Sequence, residues 1–324
     1  MDTRSPTGPV AVALAAAGGM TVLGMALSGA GLRRSGRRVA ARANAVVGAA
    51  DRRTAVTAAR RLNRASGTLA ASVLFDSAVE HYRGGFHNKA MYTPLVAATL
   101  SLLVSAHGHR DRGHDAELAR DLVYAGAGLA GLLGTGFHVF NVGKKPGGFG
   151  WQNLFYSAPL GAPAALCLSG LLGWLSERVR DNAPDTAPLV LGIPAGRVVG
   201  AATAAGIIGT VAEAGLLHLR GQFHDPFMLL PVTVPPVAAG FCAAAAFGGA
   251  GRPRPLARWM LRASAVIGLS GSAFHAIGVA RSMGGWRNWR QNLLDGPPLP
   301  APPAFTGLAL AGLAALSLLE DQPE

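Results

Sequence analysis

The chain has 324 residues, of which 50% are apolar and 14% are charged. A soluble globular protein carries about a quarter charged residues, so this composition excludes an ordinary soluble domain and points to a membrane protein. The formal net charge is +12, but the basic residues are concentrated in alternate loops between the apolar runs. That distribution reflects membrane topology, and we expect no nucleic-acid partner.

Long uncharged apolar runs recur along the chain, and a run of about 18 or more such residues is typical of a membrane-spanning helix. The runs do not alternate with the period of two that a membrane barrel requires. We therefore predict an all-α polytopic protein of about nine spans, with the lipid bilayer as its partner. In chain order the predicted spans are 9–31, 65–82, 91–107, 121–142, 154–175, 196–218, 226–248, 260–280 and 303–319.

The first predicted span, 9–31, must be distinguished from a cleaved signal peptide. The residues before it lack a strongly positive segment, and cleavage would start the mature chain with an arginine-rich stretch on the wrong side. We therefore interpret 9–31 as a span. The segment 32–64 that follows contains ten arginines, and we expect either a basic helix on the inner leaflet or a solvated linker.

The basic residues are divided unequally between the two sides of the predicted bundle. Twenty of the 29 lie in the arginine-rich segment and in alternate loops counted from it, and nine lie on the other side. By the positive-inside rule the richer side is cytoplasmic. The sequence thus predicts a multi-pass protein of the cell membrane whose N-terminus is outside and whose C-terminus is cytoplasmic.

One polar pattern occurs twice. HYRGGFHNKAMYTP begins at His81 and HLRGQFHDPFMLLP begins at His218, so both fit H-x-R-G-x-F-H-x-x-x-M-x-x-P at an offset of 137 residues. At the same offset, GLLGTGFH ending at His138 matches GLSGSAFH ending at His275. After a two-residue insertion, QNL at Gln152 meets QNL at Gln291. Matches over about 80 positions indicate an internal duplication.

Each unit of the duplication contains four predicted spans, an even number. The two halves should therefore have the same orientation, related by a pseudo-two-fold axis along the membrane normal. We divide the chain into an N-terminal helix with its basic segment (1–64), a first four-helix repeat (65–195) and a second four-helix repeat (196–324).

The repeated polar residues are predicted to share one layer near the extracytoplasmic face. Imidazole is the commonest metal ligand, and three histidines per half is the number that a metal site with an open position uses. Acids inside a span are expensive and would act as further ligands or fix a ring tautomer, and arginines would pair with haem propionates. The candidate metal or haem ligands are His81, His87, His138, His218, His224 and His275, and the supporting residues are Asp76, Glu80, Glu213, Arg83 and Arg220.

Three functions remain open from the sequence. The first is a membrane oxidoreductase with a metal ion or haem, acting with an electron-transfer partner or a small-molecule substrate. The second is a secondary transporter that uses the repeat interface, with Asp76 and Glu213 as coupling groups. The third is a cofactor-free scaffold whose histidines only cap helix ends. Cys167 and Cys242 lie mid-span and indicate small buried residues rather than a disulfide or a zinc site, and no catalytic residue can be assigned.

Overall fold

The computed structural model describes residues 52–181, 186–248 and 254–320. The predicted first span and residues 32–51 of the basic segment lie outside the described residues. The long described elements are all helices, and a two-stranded hairpin of β1 (Leu189–Val190) and β2 (Ile193–Pro194) connects two groups of them. The all-α prediction is confirmed.

The helices follow one another in two series with nearly the same order of elements. The first series consists of α1 (Arg52–Arg83), the 3₁₀ turn Lys89–Tyr92, α2 (Thr93–Arg110), α3 (Leu118–Gly143), α4 (Trp151–Tyr156) and α5 (Gly161–Arg180). The second series consists of α6 (Ala195–Arg220), the 3₁₀ turn Pro226–Leu229, α7 (Leu230–Phe247), α8 (Arg254–Arg281), the 3₁₀ turn Gly285–Asn288, α9 (Trp289–Asp295) and α10 (Pro303–Glu320).

Six of the described helices are long and apolar enough to cross a membrane: α2 with its preceding turn, α3, α6, α7, α8 and α10. Large apolar side chains on their outer faces are exposed, as lipid-facing side chains should be; Leu103, Leu133 and Val266 are 56–63% exposed. The chain is therefore a helical membrane protein, while the count of nine spans stays a prediction.

Helix α1 begins at Arg52, well before the predicted start of the second span at residue 65. Small and apolar residues spaced three or four apart give this part of α1 a buried face, on which Ala58 and Leu62 are fully buried. Residues 52–64 are therefore part of a core helix, and neither a solvated linker nor a helix lying on the lipid surface.

The predicted span 154–175 is interrupted in the structure. Helix α4 ends at Tyr156 and α5 begins only at Gly161. The intervening segment contains Pro159, which has no N–H to donate and disfavours helical geometry in the residue before it. In the second series the proline-rich segment 296–302 separates α9 from α10 in the same way.

Four helices form the middle of the bundle. Helix α1 packs against α5 of its own series and against α10 of the other, and α6 packs against α10 and α5. Helices α2 and α3 cover the first pair, and α7 and α8 cover the second. The main apolar core lies between these four central helices, and α10 contributes the largest share of it.

The two ends of the bundle carry different polar residues. The end at which α1 and α6 finish is called the histidine end here, and it contains four half-buried histidines: His81, His138, His218 and His275. The opposite end, where α5 finishes, is called the arginine end, and it contains three buried charged residues of the first series: Arg120, Glu177 and Arg180.

Glycines bring the backbones of α3 and α5 into contact. A Cβ at Gly131 would lie 2.3 Å from the backbone N of Cys167, and a Cβ at Gly170 would lie 2.4 Å from the N of Gly128. Helices in lipid gain stability from such close approach because dispersion contacts and packing, rather than water exclusion, hold them together.

We expect Gly131→Ala and Gly170→Ala to lower the free energy of unfolding by about 1–3 kcal/mol each, because the added methyl groups force the helices apart. Thermal unfolding in detergent, followed by circular dichroism, measures the effect. Gly126→Ala and Gly136→Ala are matched controls on α3, since a Cβ at either position meets no atom within 4 Å. Equal losses at all four positions would contradict the close packing.

Candidate functional site

The repeated pattern folds into the same corner in both series. At the end of α1 the N–H of Phe86 donates to the carbonyl of His81 at 3.0 Å, and at the end of α6 the N–H of Phe223 donates to that of His218 at 3.1 Å. The two phenylalanines have φ values of 45° and 47°, which are uncommon outside glycine. A hydrogen bond of this span closes a helix end and satisfies one of its free carbonyls.

The first histidine of each corner ties it to the start of the next helix. Nδ1–H of His81 donates to the carbonyl of Met91 at 2.6 Å, and Nδ1–H of His218 donates to that of Met228 at 2.7 Å. Each ring also meets the corner phenylalanine edge-on, with centroids 6.2 and 6.0 Å apart. Because a carbonyl only accepts, Nδ1 carries the hydrogen and Nε2 of the neutral ring keeps its lone pair.

A second pair of histidines ties α3 and α8 to the turns before the last helices. Nδ1–H of His138 donates to the carbonyl of Pro159 at 2.8 Å, and Nδ1–H of His275 donates to that of Pro298 at 2.7 Å. Neither proline can donate a backbone hydrogen bond, but both supply a carbonyl. In both series, therefore, the repeated histidines donate hydrogen bonds to backbone carbonyls. This shared role explains in large part why the pattern occurs twice.

The structure groups two histidines in each series rather than the expected three. The ring of His138 lies close enough to His81 for their charges to interact, and His275 has the same relation to His218. Among the described residues, no three His, Cys, Asp or Glu side chains are grouped as ligands of one metal ion. The third histidine of each series is exposed and bonds to a carbonyl of its own corner at 2.9 Å: His87 to Gly84 and His224 to Gly221.

Two acids occupy equivalent positions on α1 and α6. Asp76 on α1 and Glu213 on α6 are near enough for their charges to interact. The carboxyl group of Glu213 lies beside the backbone N–H groups of Leu160 and Gly161 at the start of α5, and a Cβ at Gly161 would lie 2.7 Å from its Cγ. Its Oε1 is buried without a hydrogen-bond partner among the described residues.

Helix α1 makes the corresponding contact with the start of α10. Oγ of Ser72 donates to the carbonyl of Pro300 at 2.5 Å. Pro300 is the equivalent of Gly161 once the two-residue insertion is included. Each series thus places its first long helix against the start of the other series' last helix, and the two acids lie in this layer.

The other predicted supporting residues lie nearer the surface. Arg83 contacts Oε1 of Glu80 at 2.8 Å. Arg220 lies over the ring of Phe155 at 5.5 Å and donates to the carbonyl of Ser157 at 3.3 Å. The two arginines therefore already have protein partners, one a carboxylate and the other an aromatic ring with a carbonyl.

A buried ion cluster at the arginine end was missed by the sequence analysis. Nη2 of Arg120 contacts Oε2 of Glu177 at 2.9 Å and Oδ2 of Asp111 at 2.8 Å. The side chains of Arg120, Glu177 and Arg180 are at most 2% exposed. Arg120 and Arg180 contribute to the sequence prediction only as basic residues of the loops, and Glu177 is not part of it, but all three belong to the core of the first series.

The cluster also fixes the loop between α2 and α3. Arg180 donates to the carbonyls of Gly108, Asp111 and Gly113 at 2.8, 3.1 and 3.0 Å. Burial alone would raise the pKa of Asp111, but the N–H of Gly113 and the guanidinium groups of Arg120 and Arg180 outweigh it and hold that pKa below its usual range. Asp111 is therefore a carboxylate at neutral pH.

A chain of buried hydroxyl groups continues from the cluster toward the middle of the bundle. The hydroxyl of Tyr124 bonds to Ser105 at 3.2 Å, Ser105 to Ser66 at 3.1 Å, Ser66 to Ser169 at 3.2 Å, and Ser169 to Ser101 at 2.9 Å. All five residues are buried. They come from α1, α2, α3 and α5, so the chain joins all four long helices of the first series.

The second series carries no such cluster at its equivalent positions, which are also buried. Arg120, Glu177 and Arg180 correspond to Ala257, Leu316 and Leu319. Tyr124, Ser105, Ser66, Ser169 and Ser101 correspond to Leu261, Cys242, Thr203, Leu308 and Ala238. Comparison of the two halves position by position would have revealed this contrast from the sequence.

No protein-family model, curated protein or solved structure matches this chain. Function is therefore inferred from the chain's own residues and contacts.

We expect Glu177→Ala to lower the free energy of unfolding by about 3–5 kcal/mol, because it removes the buried carboxylate beside Arg120 and Arg180 and leaves only partly exposed carboxylates to pair with them. The triple variant Arg120→Ala, Glu177→Leu, Arg180→Leu installs the residues of the second series. It should cost much less, since no unpaired buried charge remains. Unfolding of both variants in detergent tests this, and a triple variant as unstable as Glu177→Ala would show that the cluster is needed for folding.

Proposed function

We propose that the protein is a proton-coupled secondary transporter built from two parallel four-helix repeats, with one further N-terminal span. The matching order of elements, the recurring corner and the reciprocal contacts between first and last helices support this arrangement. The pseudo-two-fold axis then runs along the membrane normal. The unequal distribution of basic residues supports a histidine end on the outside, an external N-terminus and a cytoplasmic C-terminus.

The equivalent placement of Asp76 and Glu213 in the two series, within the range over which their charges interact, is the observation that carries the proposal. Ionising two interacting carboxylates within membrane-spanning helices costs free energy, so the pair retains a proton. In transporters built from repeats, coupling ions bind at the interface between the repeats. A proton held there links the binding of a substrate to the relative position of the two halves.

The two acids have different surroundings, which assigns the proton to Asp76. Glu213 lies beside the N–H groups at the start of α5, and the partial positive charge of a helix start favours a carboxylate. The equivalent positions in the turn before α10 are Leu299 and Pro300, of which Pro300 has no N–H. Asp76 therefore has less of this stabilisation available, and we infer that it is the acid that keeps the proton.

Infrared spectroscopy tests the proton directly, because a protonated carboxyl group absorbs apart from a carboxylate. We expect the purified protein to show a protonated carboxyl band at neutral pH, and we expect Asp76→Asn to remove it. Glu213→Gln should weaken the band, since loss of the neighbouring charge lets Asp76 ionise.

Glu320→Gln is the control. Glu320 ends α10 at the opposite end of the bundle from Asp76 and is paired with Arg258, so its replacement should leave the band in place. A wild-type protein without the band, or a band that persists in Asp76→Asn, would contradict the proton assignment.

A metal ion or haem at the paired histidines is a second candidate, and it would make the protein an oxidoreductase. The anchoring of each Nδ1–H on a carbonyl favours it, because metal-ligating histidines are oriented in this way with Nε2 left for the metal. In each series the charges of two imidazoles interact, those of His81 with His138 and those of His218 with His275. Two imidazoles are the axial ligands of many haems.

This second candidate predicts that the purified protein contains metal or haem, measured by elemental analysis and visible absorption. His138→Ala and His275→Ala should each remove part of that content, and the double variant should remove it all. His87→Ala is the control, because His87 is exposed and lies outside the pairs. A wild-type protein free of both metal and haem would exclude this candidate.

A further inference from the structure

The duplication provides an internal control for the buried polar residues of the first series. Burial of hydroxyl and charged groups costs free energy even when they are paired, and apolar side chains usually fill the same space at lower cost. The second series does this with the same helix packing, since Leu261 meets Gly312 where Tyr124 meets Gly173. The fold therefore does not require the polar groups, and their presence in one series indicates a function.

The bonding of the hydroxyl chain suits the movement of a proton. A hydroxyl group both donates and accepts, so a proton taken up at one end of a chain of hydroxyls can release another at the far end once each group turns toward the next. In the structure the hydroxyl of Tyr124 donates to Oδ1 of Asn63, and Ser66 and Ser169 donate to each other's carbonyl, so these hydroxyls must turn to pass a proton on. The chain begins at Tyr124, one helical turn along α3 from Arg120 of the ion cluster. Asp111, the outermost acid of that cluster, is 27% exposed and gives the chain a contact with water.

The far end of the chain approaches the layer of Asp76. On α1, Asp76 lies ten residues beyond Ser66, which is about 15 Å along a helix. On α2, Ser105 bonds to Ser66 and therefore lies at the same level. Ser101 is four residues nearer the histidine end, which is about 6 Å along the helix. About 9 Å therefore separates Ser101 from the level of Asp76. A small apolar cluster lies in this gap: Val73, Ala98, Ala127 and Leu166.

We propose that the ion cluster and the hydroxyl chain of the first series form a proton route from the arginine end to Asp76, with this apolar cluster as its gate. The end point of the route rests on the proposed function, since it requires Asp76 to bind the proton. Each hydroxyl accepts a proton from one neighbour and gives its own to the next, so only O–H bonds form and break. Water entering between the four apolar side chains completes the path.

Proton flux into vesicles tests the route. The full-length protein is reconstituted into phosphatidylcholine–phosphatidylglycerol vesicles that contain a pH-sensitive dye, and a potassium gradient with valinomycin drives protons inward. We expect flux above that of empty vesicles. Tyr124→Phe and Ser169→Ala, each of which removes one hydroxyl, should lower it by about tenfold or more.

Thr203→Ala is the matched control. Thr203 is the second-series equivalent of Ser66, and its buried hydroxyl has no hydrogen-bond partner among the described residues, so its loss should leave the flux unchanged. Flux is expressed per folded protein, from the thermal transition of each variant. A purely structural role would change the folded fraction but not the flux per folded molecule.

The outcomes separate the route from the proposed function. Wild-type flux no greater than that of empty vesicles, or flux insensitive to Tyr124→Phe and Ser169→Ala, overturns the route. If the infrared band of Asp76 is present in those same samples, the acid pair still stands. A third outcome is flux that depends on Tyr124 and Ser169 in a protein that shows no infrared band. This result would support a proton path through the first series. It would overturn Asp76 as the end of that path, and with it the proton-coupling proposal.

Discussion

Satisfaction of polar groups inside a membrane is the constraint on which the structure depends. The hydrocarbon interior offers no water to an N–H or carbonyl group that a turn or a broken helix exposes. Several breaks in the described part of the bundle are accompanied by a side chain that supplies the missing bond. His81 and His138 donate to carbonyls next to the breaks, and Arg180 donates to those at the end of α2. The repeated pattern thus matches the backbone groups that it satisfies.

The two series share the corner and differ in the polarity of the core. A corner that needs a left-handed phenylalanine and an anchored imidazole has few alternatives, so both copies retain it. A core position between helices accepts any side chain of suitable size, so Leu316 can stand where Glu177 stands in the other half. The polar core of the first series is for that reason more informative about function than the histidines.

The membrane class and most helices were predictable because long apolar runs in the sequence map directly onto helices. The extension of α1 to Arg52 was not, because arginines interrupt that run while Ala58 and Leu62 form its buried face. The break before Gly161 was not predicted, although Pro159 indicates it. The ion cluster was missed because Arg120 lies in an exposed-looking charged segment, and only the fold shows that Glu177 meets it. The histidines were located correctly at one end, but which of them pair depends on packing that spacing alone does not determine.

The distribution of hydrogen bonds also indicates how the two series would move. The cluster and hydroxyl chain lie wholly within the first series, so they make its four long helices one rigid unit. Bonds between the series lie instead near the two ends of the bundle, where Arg61 donates to Leu313 and Ser317 on α10 and Ser72 donates to Pro300. Between these ends the contact is made by small residues, such as Gly307 against the carbonyl of Ala65. In the proposed transporter, rotation of one series against the other would change the distance between Asp76 and Glu213, because each acid lies in a different series.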